Sequence, residues 1–371
     1  MIKVARACVS KEELDEIKEA LDYGYFGLAY KVNELEEQIA KYLQTDRSVV
    51  CCANGTAAIH LALECAGVGP GDEVILPSFT FIATAQAVLM AGATPILCDV
   101  NRDDFLISID DVERKITSKT KAIIPVHYAG NVCDMDRLME IKDKYGIRII
   151  EDAAHAFGSY YKGKKVGSFG DITCFSFDSI KVMTCGEGGA LVTNDNDAVE
   201  LSKQKRLLGI DRKTMHVKDW KQRSWMYDVA TKGYRYHMSN INAAIGLAQI
   251  KKVDGFIRIR QNICFQYLSL LKNVKGLSFE KADWSTVAPF MFPILVNNGK
   301  RDALRDCLKE FDIETGISYI PVHQFRLFKD NGLFMNTEEI FKEIICLPIH
   351  PNLSKDDIAF VCAKIKEFLN A

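Results

Sequence analysis

The 371-residue chain is 48% hydrophobic and 26% charged, the balance of an ordinary soluble globular protein, which excludes a disordered chain and a collagen-like fibre. Its 47 Lys and Arg nearly match 49 Asp and Glu, so no net field would gather nucleic acid or an anionic membrane surface. The most apolar long stretch, Ile82 to Cys98, is interrupted by Gln86 and Pro95 and is too short to span a bilayer.

The N-terminal MIKVARACVSKEELDE lacks the apolar run of a signal peptide. None of the 12 cysteines forms a CxxC or a pair at zinc-ligand spacing, so reduced thiols in a cytoplasmic protein, and no metal, are expected. This length suits two domains.

Residues 11–43 carry apolar residues at helical spacing. From about residue 48 short buried-strand runs alternate with helical patterns: SVVCC then GTAAIHLALECAG, EVILP then FIATAQAVLMAGA, PILCDV then IDDVERKI, AIIPVH then MDRLMEIKDKYG, and IRIIED. Such regular alternation predicts an α/β fold with a mostly parallel sheet. Over 162–193 the pattern changes to short strands with glycine turns, in KGKKVG, DITCFSF and GGALVT. An amphipathic stretch, 239–272, leads into FMFPILV, KRDALRDCLKEF, ISYIPVH and DDIAFVCAKIKEFL, which read as a small α+β domain. The expected division is a large domain over 1–250 and a smaller one over 251–371.

Two motifs mislead. Gly158-x4-Gly163-Lys164 imitates a phosphate-binding P-loop, but Lys165 occupies the position of the Mg²⁺-binding Ser or Thr, and KGKK reads better as a hairpin turn. GVGPGD at 67–72 lacks the third glycine of a dinucleotide fingerprint and reads as a loop.

Three other segments carry chemistry together. In SVVCC-ANGT-AAIHLAL, Gly55 and Thr56 open a helix whose N–H groups and dipole favour an anion, although an ordinary helix cap would look the same. In IRIIEDAAHAFG, Glu151 and Asp152 end a strand at the mouth of the sheet, with His155 three residues on; Asp152 could equally cap a helix, and His155 alone could be structural. In FSFDSIKVMTCGEGG, Lys181 lies between Ile180 and Val182, where burial would lower its pKa and make it a nucleophile for a carbonyl, and Ser176 adds a hydroxyl. A Schiff-base lysine, a strand-end aspartate for a pyridinium nitrogen and a helix N-terminus for a phosphate, in this chain order, predict pyridoxal 5′-phosphate.

Nearly the whole chain resembles the sugar aminotransferases of the DegT/DnrJ/EryC1/StrS group, through ELEEQIAKYL, NGTAAIHLAL, GDEVILPSFTFIATAQAVLMAGATPILCDV, IIPVHYAGNVCDMD, IIEDAAHAFGSYYKGKKVGSFGD, FSFDSIKVMTCGEGGALVTND, INAAIGLAQI, ISYIPVH and ICLPIHPNLS. The resemblance implies the type I, aspartate-aminotransferase-like fold. It also implies that Lys181 bonds to the cofactor aldehyde and shuttles a proton, that Asp152 pairs with the pyridine nitrogen, and that Gly55, Thr56 and Ser176 hold the phosphate. Phe81 falls where the family places an aromatic ring over the cofactor, though by itself it reads as a core Phe. His155 falls near the cofactor's phenolic oxygen.

Many members reach the neighbouring subunit's cofactor phosphate with an Asn from the segment written here KGYRYHMSN; the candidates in this chain are Arg235, His237 and Asn240. The basic stretch 212–238, with Trp220 and Trp225, fits a dimer-interface loop better than a nucleic-acid patch, and could also be a solvated loop.

The implied reaction takes the amine of L-glutamate to a keto sugar, usually nucleotide-linked and aminated at C3 or C4, in a homodimer with its active site at the subunit interface. Products of this kind feed lipopolysaccharide, glycan or antibiotic sugars. A non-nucleotide keto sugar or cyclitol as acceptor, another lysine-dependent enzyme of the same cofactor, and a cofactor-binding regulatory protein without turnover are the alternatives.

Overall fold

Residues 1–211, 227–330 and 332–370 are described in the computed structural model of the chain. Helix α1 (Lys11–Tyr23) starts at a capping box in which the Ser10 N–H donates to Glu13 Oε2 at 2.8 Å. In α2 (Tyr30–Leu43), Val32, Leu35, Ile39 and Leu43 recur at helical spacing and are buried.

The predicted alternation then follows: β1 (Ser48–Cys52), α3 (Gly55–Cys65), β2 (Glu73–Pro77), α4 (Ile82–Met90), β3 (Thr94–Cys98), α5 (Ile109–Lys115), β4 (Thr120–Ile123), α6 (Met135–Tyr145) and β5 (Arg148–Asp152). Next, β6 (Tyr160–Tyr161) and β7 (Lys164–Lys165) pair as a hairpin. Its turn is Lys162-Gly163 with φ of 47° and 80°, so KGKK is the hairpin turn expected from the sequence. β8 (Ile172–Ser176), β9 (Gly189–Thr193) and α7 (Asn196–Lys205) follow, then a short ribbon of β10 (Ile210–Asp211) and β11 (Asp228–Val229).

Among the described residues seven strands form the main sheet, in the order β1-β9-β8-β5-β4-β2-β3. All run parallel except β9, which is antiparallel to both neighbours. Both faces are covered, and the pleat sorts the side chains: Val49, Cys51, Ile75 and Ile149 join one core, while Val50, Cys52, Val74, Leu76 and Ile150 join the other. The carboxyl ends of the parallel strands therefore open on a single edge, where α/β sheets hold their ligands.

The amphipathic stretch resolves into α8 (Asn240–Ile250), buried along most of its length, and α9 (Val253–Leu271), which carries the one-sided stripe. Beyond it, β12 (Leu277–Phe279), β13 (Phe292–Val296), α10 (Arg301–Glu310), α11 (Met335–Glu343), β14 (Ile344–Leu347) and α12 (Lys355–Asn370) build a three-stranded antiparallel sheet and its helices. Their own core includes Tyr267, Phe292, Leu304 and Val361. The chain start joins this unit, Ile2 bridging to Ile313. ISYIPVH forms no named strand. It folds back on the main sheet, the Val322 N–H donating to Ser78 O at 2.8 Å, and Val322, Phe328 and Phe334 enter the core of that sheet. Among the described residues no helix is long and apolar enough to cross a membrane.

Candidate active site

A cavity of about 340 Å³ opens at the carboxyl edge of the main sheet. Gly55, Thr56, Phe81, Asp152, His155, Ser176 and Lys181, the seven residues expected from the sequence, all line it.

One end is the start of α3. The Asn54 side chain accepts from Ala57 N–H at 2.8 Å and its carbonyl accepts from Ala58 N–H at 3.1 Å, which leaves the Gly55 and Thr56 N–H groups to the cavity that they line. Glycine is required at 55, because a Cβ there would lie 2.8 Å from Ser176 Cβ and push into the space between the helix start and the β8 hydroxyl. This cradle of N–H and hydroxyl donors has the chemistry of a phosphate site.

The other end is the tip of β5. Asp152 Oδ2 accepts from the Thr84 hydroxyl at 2.7 Å and Oδ1 from the Ala154 N–H at 3.2 Å. Burial pushes the Asp152 carboxyl above its usual range, while those two donors and the charge of Lys181 pull it back. Behind it, fully buried Glu151 accepts from Thr173 Oγ1 at 2.6 Å, from Gly170 N–H at 2.8 Å and from His127 Nε2 at 2.9 Å. His127 Nδ1 accepts from Cys133 N–H, which places the His127 proton on Nε2.

Lys181 stands on the β8–β9 connection, its Nζ 4.2 Å from the centroid of the Phe290 ring. Burial brings its pKa down to about 8, against the upward pull of Asp152 and Asp178. Ile180 and Val182, its neighbours in sequence, were the expected source of that burial. Val182 is buried, but Ile180 is 43% exposed, and the apolar cover comes instead from Phe290, far along the chain. His155 stacks on the same ring, with centroids 4.4 Å apart and planes at 22°, and its Nε2 lies 3.1 Å from the Tyr319 hydroxyl. Burial, with Lys181 nearby, holds the imidazole well below its usual pKa and so neutral. Phe81 is 54% exposed with its ring 5.4 Å from Tyr319, a wall of the cavity and not a core residue.

Several lining residues were not singled out in the sequence: Thr84, Asp178, Glu187, Phe290 and Tyr319. Thr80 and Thr84, four apart at the start of an otherwise apolar helix pattern, were the one local signal. Of the candidates for the neighbouring subunit's phosphate, Asn240 is fully buried and accepts from the Lys31 N–H at 3.1 Å within its own chain, whereas Arg235 is exposed. Residues 212–226 of the basic stretch lie outside the described residues.

The model of the DegT/DnrJ/EryC1/StrS aminotransferase family matches residues 7–366. The chain belongs to this family. SpsC of Bacillus subtilis, a spore coat polysaccharide biosynthesis protein, is 32% identical over 372 residues, covering 97% of this chain and 95% of SpsC. Among solved structures, the PMP form of Spr1654 from Streptococcus pneumoniae has a TM-score of 0.92 at 30% identity, covering 100% and 99% of the two chains. PseC of Helicobacter pylori, an aminotransferase of pseudaminic acid biosynthesis, has a TM-score of 0.91 at 25% identity with the same coverage.

The enzyme is thus a sugar aminotransferase with the type I fold, dependent on pyridoxal 5′-phosphate. Its own residues fit that cofactor: the cradle at Gly55 is closed to a side chain, and the buried Nδ1 of His155 has no partner among the described residues.

Proposed function

We propose that this sugar aminotransferase moves the amino group of L-glutamate to a nucleotide-linked 4-keto or 3-keto 6-deoxyhexose, for amino sugars of lipopolysaccharide or related glycans. In this reading it works in the cytoplasm as a homodimer whose sites lie at the subunit interface. The cofactor-binding unit spans about residues 1–250 and the smaller one about 251–371, with the chain start packed on the latter.

The observation that carries the reading is one cavity holding a low-pKa lysine, a strand-end carboxylate and an anion cradle. The bound cofactor supplies the electron sink for the reaction. The Gly55 and Thr56 N–H groups, with the Thr56 and Ser176 hydroxyls, hold its phosphate. Asp152 accepts the ring nitrogen's hydrogen bond and keeps that nitrogen protonated. Phe81 would cover the cofactor ring, and His155 would face its phenolic oxygen. Lys181 would be the amine that holds the cofactor's aldehyde and the base that moves the proton at the reacting carbon.

Lys181 is the one cationic side chain among the described lining residues, against Asp152, Asp178 and Glu187. Glutamate brings two carboxylates and a nucleotide sugar brings a diphosphate, so their counter-charges must come from elsewhere. That need supports a second subunit at the site. The sugar class rests on SpsC and PseC, whose names place them in polysaccharide and pseudaminic acid biosynthesis.

The test is the absorbance of the purified protein with pyridoxal phosphate, before and after L-glutamate, in wild type and Lys181→Ala. The visible band should give way to the shorter-wavelength pyridoxamine band in wild type only, and a keto-sugar acceptor should reverse the change. A wild-type spectrum that glutamate leaves untouched would refute the donor. A protein that never takes up the colour would refute the role of Lys181.

A further inference from the structure

Arg260 lies on α9, away from the cavity wall, and is 2% exposed. Among the described residues no carboxylate comes within ion-pair distance of it, and its Nε has no partner. An unpaired buried cation is costly, and burial brings even this guanidinium down to about 10. What Arg260 does hold is main chain. Its Nη1 donates to the carbonyls of Pro289 at 3.3 Å, Phe290 at 3.3 Å and Ile349 at 3.2 Å. Two of these belong to the peptide run that carries the Phe290 ring, and that ring lies 4.2 Å from Lys181 Nζ and stacks on His155. On its far side the Phe290 N–H donates to Ala129 O at 3.0 Å, so the segment is pinned at both its donor and its acceptor. A void of about 10 Å³ is lined by both Arg260 and Lys181, so the two lie close behind the site.

We infer that Arg260 is a positioning residue for the reacting amine: by holding the Pro289, Phe290 and Ile349 carbonyls together, it fixes the Phe290 ring against Lys181 Nζ and His155. The ring in turn keeps water from the amine. The ionisable groups that line the cavity with Lys181 are Asp152, Asp178, Glu187, His155 and Tyr319, none of them on α9, while Arg6, Cys8 and Arg260 itself line the small void behind the amine. Changing Arg260 therefore leaves the charged lining of the cavity intact. The inference rests on Lys181 as the cofactor-bearing amine.

The test uses the full chain freed of cofactor. Trace labelling with acetic anhydride between about pH 6 and 10, read by peptide mass spectrometry, gives the pH at which the Lys181 amine becomes half-reactive. Wild type should turn near 8. Arg260→Met, Arg260→Lys and Phe290→Leu should each move that point up by about one pH unit, as water reaches the amine. The double variant Arg260→Met/Phe290→Leu should move it no further than Phe290→Leu alone.

Arg260→Lys keeps the charge but its ammonium ends one bond short of the Nη1 position that meets all three carbonyls. If it titrates like wild type, the effect of Arg260 is charge alone and the inference is overturned. Additive shifts in the double variant overturn it as well. Should Arg260→Met fail to fold, by circular dichroism, Arg260→Lys still decides. The labelling reads proton affinity without cofactor, so a Lys181 that never took up pyridoxal phosphate would sink the proposed function and leave this profile standing.

Discussion

The hydroxyl of Thr84, in the first turn of α4, donates to Asp152 Oδ2 at 2.7 Å. Thr84 Oγ1 also lies 3.0 Å from Thr80 Oγ1, so Thr80 can donate to Thr84 while Thr84 donates to the carboxylate. A carboxyl pushed up by burial must nevertheless be ionised to keep a ring nitrogen protonated. The threonine pair supplies part of that ionisation, Thr84 from the first turn of α4 and Thr80 from the loop just before it.

Thr84→Val keeps the side-chain shape and removes the donor, so the Asp152 carboxyl should rise further and pair less well with the cofactor. A hydrogen bond to a charged acceptor contributes about 1.5–3 kcal/mol, or roughly 10- to 100-fold in rate. The single-turnover rate with L-glutamate should fall by that factor, with the melting temperature nearly unchanged. A rate within about twofold of wild type would rule out this role for Thr84.

Glu151 makes a different prediction, about stability. It is fully buried, and His127, Thr173 and Gly170 hold its carboxyl below the usual range in spite of burial. A carboxylate with a depressed folded pKa adds stability that is fully present above its unfolded value of about 4.3 and is lost as pH falls through the folded value. Glu151→Gln strands part of this network and should cost about 3–5 kcal/mol at neutral pH. Denaturant titrations at several pH values would measure it. The gap between variant and wild type should shrink in acid, and a gap that grew there would reverse the sign of the argument.

The contrast between these two neighbours explains what the sequence could disclose. Asp152, Lys181, Gly55 and Ser176 were legible because a strand end, a helix start and a strand-loop junction each fix a side chain's place from a few adjacent residues. Thr84, Phe290 and Tyr319 were not. Phe290 and Tyr319 reach the cavity from the C-terminal part, and ISYIPVH in particular leaves its own unit to lie on the main sheet. Nothing in local periodicity encodes such a return. For Phe81 and Ile180 local reasoning went the wrong way: apolar residues are usually interior, yet here both are exposed at the cavity mouth.

Gly55 tests the cradle. A methyl group there would meet Ser176 Cβ at 2.8 Å, so in Gly55→Ala either the helix start or the β8 hydroxyl must shift. Overpacking of this kind costs about 1–3 kcal/mol, and the strain falls where the phosphate is held. The Kd for pyridoxal phosphate, measured by fluorescence titration of the cofactor-free chain, should rise about 5- to 100-fold. Unchanged affinity would move the phosphate elsewhere.

Lys181 sets the pH dependence of cofactor loading. Only the neutral amine attacks an aldehyde, and burial brings its pKa to about 8. Stopped-flow mixing of pyridoxal phosphate with the cofactor-free chain should therefore show a rate that climbs about tenfold per pH unit below that value and flattens above it. Asp178 and Asp152 both pull the amine upward, so Asp178→Asn should shift the break to lower pH and speed loading at neutrality. An ordinary exposed lysine would keep accelerating past pH 10, and that curve, or a break that moves up in Asp178→Asn, would show that the pocket does not set the reactivity of this amine.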